Sequence, residues 1–549
     1  MLHRLLYCRT GVGLEEEGLL SEDVRPSGTY KTLAEQREVL TPAEERFERL
    51  RQTTGLFLGP VAFLIMYFLP LPLPRDQHTL TAVLTFTIIY WLSEAIPIPV
   101  TAVLALALCV LFNVPSVGPN AEDAPGDIVF AGFIDPVIFL FIGAFVLAQA
   151  MITHGLDRRF AFLVLSLPGV GRSTYGVIIA FGVIAASISA FISNTTTAAM
   201  LLPIGLGMMG ALGGMVSEQS DTDRDVGRLR FGTALMLMIS YAAGVGGLLT
   251  PIGSPPNLIG IAFIEQATDV RISFFSWVVT AIPICLLMFI ALCTILILLN
   301  RPEVRRISGA EEYIAEERSK LGPFSSGERN TLIAFAVAVS LWILPGLSAV
   351  IFGEESLVYS VLYSRLDEGT VAIIGAALLF LLPINWSERR FTMNWNEAAR
   401  IDWGTILLFG CGIALGTLLA DTGLAETLGT GIADALGFSS LVAVSAVSAI
   451  IAILISETTS NTASATIVVP IVIPIAQAAG LDPLVPALAA VFGASFGFMM
   501  PVSTPQNAVV YGSGMIPITK MVRSGLVFDI IGLILIVLLI PVMAGLTLA

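Results

Sequence analysis

Two short polar triplets interrupt long apolar runs in this chain. They are Ser193-Asn194-Thr195, in FISNTTTAAMLLPI, and Ser460-Asn461-Thr462, in ETTSNTASATIVVPI. Hydroxyls and amides in such surroundings are costly unless they are buried in protein or bind something. Ser and Thr hydroxyls, the Asn amide oxygen and carbonyls freed from a helix are hard oxygen ligands, suited to Na⁺. The helix expected after each triplet offers first-turn N–H groups and a positive dipole end, suited to an anion. One site can therefore take cations and an anion together. No Lys, Arg or His stands near either triplet in the sequence, so co-bound cations are the expected charge partners of the anion.

A second pair of polar stretches supplies an opposite wall. Gly253-Ser254-Pro255-Pro256-Asn257 interrupts one apolar run, and Ser503-Thr504-Pro505-Gln506-Asn507 interrupts another. Proline lacks an N–H and holds its predecessor in extended geometry, so carbonyls come free of the helical ladder. Taken singly, each motif reads equally well as a loop or a helix cap. Four at matching positions read as one site built from both halves of the chain.

The elements that must position these residues are membrane helices. Of 549 residues, 55% are hydrophobic and 13% charged, with a mean hydropathy of +0.86. That composition belongs to an all-α polytopic membrane protein. Eleven apolar segments are long enough to span a bilayer, among them 128–151 and 486–500, the latter continuing past a break. Two double-length regions, 175–209 and 441–476, carry the triplets at their centres; each reads either as a pair of full crossings or as a re-entrant hairpin, and the hairpin is favoured because no charged or interfacial aromatic residue flanks the triplets directly. With the N-terminus inside, the inner loops hold seventeen Lys and Arg against three outside, which places the C-terminus outside. The expected organisation is a polar cytoplasmic tail at 1–52, a first transmembrane half at 53–300, a cytoplasmic linker at 301–330 and a second half at 331–549.

The halves repeat. FIDPVIFLFIGAFVLAQAMITHGL resembles RIDWGTILLFGCGIALGTLLADTGL, pairing Asp135 with Asp402 and Gly155-Leu156 with Gly423-Leu424. The triplets follow at the same offset, and TPIGSPPN pairs with MPVSTPQN. In the topology above the paired spans run in opposite directions, so the repeats are inverted, a hallmark of secondary transporters.

Other functional classes find little support. No basic patch with interleaved aromatics suggests nucleic-acid binding, and no GxxxxGK[ST] loop suggests ATP hydrolysis. Five cysteines without a CxxC, and three scattered histidines, suggest no metal centre. Gly493-Ala-Ser495-Phe-Gly497 matches a nucleophile elbow, but it is expected inside an apolar helix without a histidine base and reads as close helix packing. Glu457 reads as a structural acid with polar neighbours, Glu94 as an inter-helix contact, and Asp135 and Asp402 as helix N-terminal acids.

In WLSEAIPIPVTA, SNTTTAAMLLPI, TPIGSPPN, SNTASATIVVPI and FGFMMPVSTPQNAVVYGSG the chain resembles the divalent anion/sodium symporter family, whose members carry dicarboxylates, citrate or sulfate. The resemblance covers roughly residues 55–549 and implies a plasma-membrane homodimer with scaffold and moving, elevator-type transport domains. It implies two Na⁺ sites and no organic cofactor: one at Ser189, Ser193, Asn194 and Gly253, the other at Ser456, Thr459, Asn461 and Ser503. Substrate carboxylates are then expected at Asn194, Thr195, Ser254, Asn461, Thr462, Thr504 and Pro505. The expected function is Na⁺-coupled symport of a succinate-type dicarboxylate by alternating access. A sulfate or other oxyanion symporter and a Na⁺-independent exchanger are the alternatives. Ser503, where the family often has Ala, and Gln506, in place of a second Pro, depart from the family pattern.

Overall fold

Long apolar runs away from water satisfy their backbone polar groups by forming helices, and helices make up most of the described residues. The computed structural model describes residues 42–116, 124–219, 229–268, 270–305, 309–436 and 440–548. Of the tail expected at 1–52, residues 1–41 lie outside the described residues, and the remainder opens the helix Pro42–Phe68. Residues 306–308 of the expected linker, and the loop arginines Arg224 and Arg228, also lie outside them.

Seven described helices are long and apolar enough to cross a membrane, including Phe274–Leu299, Ser326–Phe352 and Ile518–Thr547. On Ile518–Thr547 one stripe (Ile530, Ile534, Leu538, Val542) is more than half exposed, while Phe528, Ile536 and Ile540 are buried. A stripe of bare apolar side chains opposite a packed one is the pattern of a helix with lipid on one side.

Two of the expected spans are broken. Residues 128–151 form the short helix Pro125–Phe130, a 3₁₀ turn at Ala131–Ile134 and the helix Pro136–His154. Pro136 holds Asp135 in extended geometry, and the Asp135 carboxylate accepts from Val137 N at 2.9 Å. Asp402 caps Trp403–Asp421 in the same manner, accepting from Thr405 N at 3.1 Å. Residues 486–500 are helical only to Ala494, in Leu484–Ala494, and the chain turns helical again at Pro505–Tyr511.

Apolar run length gives no sign of two short helices, Leu156–Leu165 and Leu424–Leu436. Each follows a glycine at positive φ, Gly155 at 67° and Gly423 at 71°, a backbone turn open to glycine at no steric cost. The first buries Leu156, Asp157, Ala161, Phe162 and Leu165 on one face.

Burial raises the carboxyl of Asp157 to about 6, against a partly offsetting hydrogen bond from Arg158 N. A raised acid stabilises the fold below its unfolded value and loses that contribution as pH rises through the folded one. Asp157→Asn is therefore expected to raise the unfolding temperature at pH 7, by up to about 3 kcal/mol of stability. The gain should vanish below about pH 4, which a thermal scan of both proteins across that range checks.

The apolar interior has two parts. Helices Pro42–Phe68, Arg75–Ser93 and Ile98–Leu111 pack together and onto Trp403–Asp421 in the smaller one, through Phe63, Leu80, Trp91, Leu106, Leu408 and Leu415. The larger one runs through the arms of both double-length regions.

Candidate functional site: two matched tips

Each double-length region is a pair of helices in contact. The first is Thr174–Ser189 and Asn194–Gln219, the second Leu441–Thr458 and Asn461–Ala478. Both turns are built alike. Ser189 Oγ donates to Asn194 Oδ1 at 2.5 Å, and Ser456 Oγ to Asn461 Oδ1 at 2.7 Å. All four side chains are buried. In the second turn the Ser456 hydroxyl also lies 2.8 Å from Ala494 O, and Asn461 Nδ2 donates to Ser495 O at 3.5 Å. Ser193 and Ser460 cap the outgoing helices, accepting from Thr196 N and Ala463 N. The first-turn N–H groups of Asn194, Thr195, Asn461 and Thr462 lack intrahelical acceptors, as at any helix start.

The two proline breaks share a hydrogen-bond pattern. Asn257 Nδ2 donates to Gly247 O at 2.7 Å and Thr250 O at 2.9 Å. Asn507 Nδ2 donates to Gly497 O at 2.8 Å and Met500 O at 3.0 Å. An aromatic donor reaches the carbonyl next to each of those glycines, Trp277 Nε1 to Leu248 O at 3.0 Å and Tyr241 Oη to Phe498 O at 2.5 Å. Carbonyls that leave a helix inside a protein need such partners. The bonds of Asn507 and Tyr241, with ring contacts among Tyr241, Phe496, Phe498 and Phe528, brace the second break, where Gln506 stands in place of a proline.

The pattern differs at one atom. Ser240 Oγ donates to Asn507 Oδ1 at 2.6 Å, whereas Asn257 Oδ1 is buried without a partner among the described residues. The position matching Ser240 on Leu484–Ala494 is Ala490, which has no hydroxyl to offer. Ser240→Ala would strand a second amide oxygen and is expected to cost about 1–3 kcal/mol of stability, read as a lowered unfolding temperature.

Oxygens gather where the first tip meets its break. A methyl group added at Gly253 would lie 2.7, 2.9 and 3.0 Å from the carbonyl oxygens of Gly247, Ala190 and Ser189. Thr250 Oγ1 donates to Ala190 O. One added at Gly247 would lie 2.6 Å from Asn194 Oδ1. This donor set of carbonyls and an amide oxygen fits an alkali cation. Of the expected first-site residues, Ser189, Asn194 and Gly253 come together here. Ser193 is exposed, with its hydroxyl committed to the cap.

At the second tip, Ser503 takes the place corresponding to Gly253. Its hydroxyl lies 2.9 Å from Glu457 O and 2.8 Å from Glu457 Oε2. The departure at Ser503 thus adds a hydroxyl that is taken up by Glu457. Thr459 is buried, with Oγ1 donating to Ile455 O at 2.8 Å.

Among the expected substrate residues, Ser254 and Thr504 are buried, Thr195 and Thr462 half-buried and Pro505 exposed. Thr504 Oγ1 is buried without a partner among the described residues, a hydroxyl available to a ligand. The halves also interlock. Asn194–Gln219 packs on Pro505–Tyr511, and Pro255–Thr268 packs on Asn461–Ala478, so each outgoing arm meets the helix after the opposite break.

Two features differ from the sequence reading, the surroundings of Arg51 and the place of Ser495. Arg51, on the first helix, donates from Nη1 to Thr458 O at 3.1 Å, next to the second tip. A cation therefore does stand near a triplet, although Glu48 at 2.7 Å and Glu94 at 3.5 Å match its charge. Its distance along the chain concealed it. Glu457 is a structural acid with polar neighbours, as expected: it accepts from Phe498 N at 2.6 Å and Met499 N at 2.8 Å and so holds the second break. Ser495 is not inside a helix as expected, because Leu484–Ala494 ends one residue before it. His154 lies instead against Thr392 O at 2.7 Å, and Gly493 allows close approach to Ala449.

Paired broken helices with matched polar tips, in a chain of apolar helices, define an integral membrane transporter. The sodium:sulfate symporter transmembrane region matches residues 50–546, and the chain belongs to that family, the divalent anion/sodium symporters. It is 32% identical over 501 residues to the sodium-dependent dicarboxylate transporter SdcS of Staphylococcus saprophyticus, covering 90% of this chain and 92% of the relative. It is 31% identical over 502 residues to the protein of that name in Staphylococcus aureus, covering 90% and 92%. The crystal structure of the Alcanivorax borkumensis YdaH transporter shares its fold at 15% identity and a TM-score of 0.50, covering 81% of this chain and 98% of that one. Family and relatives are transporters rather than enzymes.

Proposed function

We propose that this protein carries a succinate-type dicarboxylate into the cell by Na⁺-coupled symport. The observation that carries the reading is the twin tip, in which Ser189–Asn194 and Ser456–Asn461 repeat one hydrogen bond beside carbonyls that have left their helices. One Na⁺ is held by Ser189, Asn194 and Gly253, with Ser193 contributing its carbonyl. A second is held by Ser456, Thr459, Asn461 and the Ser503 carbonyl. Two cations neutralise a dianion, whose carboxylates meet the first-turn N–H groups and the side chains of Asn194, Thr195, Ser254, Asn461, Thr462 and Thr504, against Pro505. The relatives' name, sodium-dependent dicarboxylate transporter, supports this substrate over sulfate.

The halves act as inverted repeats in the plasma membrane, N-terminus inside and C-terminus outside. The tips and breaks move as an elevator-type domain against a scaffold in a homodimer. The smaller apolar core around Pro42–Phe68, Arg75–Ser93 and Ile98–Leu111 supports a separate scaffold. The test is uptake of labelled succinate and labelled sulfate into proteoliposomes, with and without an inward Na⁺ gradient. Succinate uptake that needs the gradient is expected. Uptake indifferent to Na⁺, or of sulfate alone, overturns the reading.

A further inference from the structure

The loop between Glu368–Leu381 and Trp403–Asp421 carries aromatic and basic side chains that the transport scheme does not use. Two short strands, Pro383–Asn385 and Arg390–Phe391, pair antiparallel in a hairpin. A lone two-stranded hairpin is marginally stable, and this one is tied to three helices. Thr392 N donates to Leu382 O at 2.9 Å and Met393 N to Leu379 O at 3.1 Å, at the end of Glu368–Leu381. Asn330 Nδ2, on Ser326–Phe352, donates to Pro383 O at 3.0 Å and to Thr392 Oγ1 at 2.9 Å. His154, the last residue of Pro136–His154, meets Thr392 O at 2.7 Å.

What this fixed hairpin presents is unpaired. Trp386 is 74% exposed and Trp395 70%, while Trp91, Trp277 and Trp342 are buried. The indole N–H groups of Trp91, Trp277, Trp342 and Trp403 all reach backbone carbonyls, whereas those of Trp386 and Trp395 reach none among the described residues. Arg389 and Arg390 are exposed and have no ion-pair partner among the described residues. With Glu388 beside them the turn keeps one net positive charge. The next acid, Glu397, is committed to capping Trp395–Ala398, its Oε2 accepting from Asn394 N at 2.9 Å.

The flanking helices decide what covers such a surface. On Glu368–Leu381 an exposed apolar stripe of Ile373, Ile374, Ala377 and Leu381 runs down to the hairpin. Trp403 and Leu407 are exposed where Trp403–Asp421 begins. Bare apolar stripes on the outside of a membrane protein face acyl chains. Trp386 follows Leu382 by at most about 13 Å of extended strand, so the hairpin stands where the chains end and the headgroups begin. An apolar ring with a free N–H suits that boundary, and a guanidinium fork suits a phosphate.

We propose that an anionic phospholipid docks on this hairpin, its phosphate held by Arg389 and Arg390 and its upper acyl chain against Trp386 and Trp395. In the orientation proposed above this is a lipid of the inner leaflet. A lipid so held fixes the hairpin, and with it the ends of three helices, at the membrane surface.

The experiment uses the full chain in nanodiscs of phosphatidylcholine and phosphatidylglycerol, with brominated acyl chains on one lipid at a time. Bromine quenches indole fluorescence on contact. The signal of the two exposed indoles is the difference between wild type and Trp386→Phe/Trp395→Phe. Brominated phosphatidylglycerol should reach half-maximal quenching of it at about one-fifth the mole fraction that brominated phosphatidylcholine needs, the enrichment that one net basic residue gives at a membrane surface. Arg389→Gln/Arg390→Gln should lose that preference and still be quenched by both lipids. Equal quenching of the wild type by the two lipids, or a preference that survives in the arginine variant, overturns the proposal. So does a signal that only aqueous acrylamide quenches, which puts the hairpin in water, or one that no quencher reaches, which puts a second copy over it. A nanodisc offers both leaflets, so these outcomes are independent of the proposed orientation and of Na⁺-driven uptake.

Discussion

Asn461→Ala will reduce Na⁺-driven succinate uptake to background, a loss of at least about a hundredfold, which is some 2.7 kcal/mol, while the protein still folds. The amide oxygen sits between the Ser456 hydroxyl and the start of an outgoing helix, 9% exposed. Alanine removes a cation ligand and an anion contact in one step. Folding survives because Ser456 keeps a second acceptor, Ala494 O at 2.8 Å. Asn194→Ala should be equally inactive and somewhat less stable, because Asn194 Oδ1 is the partner that holds the Ser189 hydroxyl. A hydroxyl left unpaired in a buried site costs about 1–3 kcal/mol. Uptake assays and unfolding temperatures on both variants test this. Wild-type uptake in both sinks the assignment of the tips. Equal destabilisation sinks the difference drawn between them.

That difference shows what was legible in the sequence and what was not. Local motifs were legible. The triplets, the proline breaks and the helix-capping acids Asp135 and Asp402 lie where residue type and spacing place them, because backbone chemistry within a few residues decides such features. The break inside 128–151, and the start of the second proline break already at Ser495, were hidden by apolarity, since a run of hydrophobic residues reads alike whether helical or irregular. The short helices after Gly155 and Gly423 escaped because they lie beside lengthy spans and do not reach a span's length.

Partners far apart in sequence were not legible. Arg51 reaches Thr458 and Ser240 reaches Asn507 only once helices have packed. In an apolar interior the charge balance of a group is set by tertiary neighbours, so such sites surface last.

The two tips also make a prediction through their one difference in backbone crowding. Gly253→Ala should abolish Na⁺-dependent uptake, whereas Ser503→Ala at the matching position should retain a large part of it. At Gly253 the new methyl meets three backbone carbonyl oxygens at 2.7–3.0 Å, those of Gly247, Ala190 and Ser189. None of them is the end of a flexible side chain. The turn at 190–193 is already tied to the break by Thr250, so the carbonyls separate only by opening the tip. Overpacking of this kind typically costs about 1–3 kcal/mol, and here the strain falls on the oxygens proposed to hold Na⁺. At the second tip a Cβ is already present. Removing the Ser503 hydroxyl takes one donor from Glu457, which keeps Phe498 N and Met499 N. The expected loss is about 0.5–1.5 kcal/mol of stability, with Na⁺ dependence preserved. Titrating uptake against Na⁺ separates the cases: no saturable Na⁺ response in Gly253→Ala, and a shifted but complete one in Ser503→Ala. A normal Na⁺ response in Gly253→Ala would mean that the carbonyls around it hold no cation, and the first of the two proposed Na⁺ sites would have to lie elsewhere.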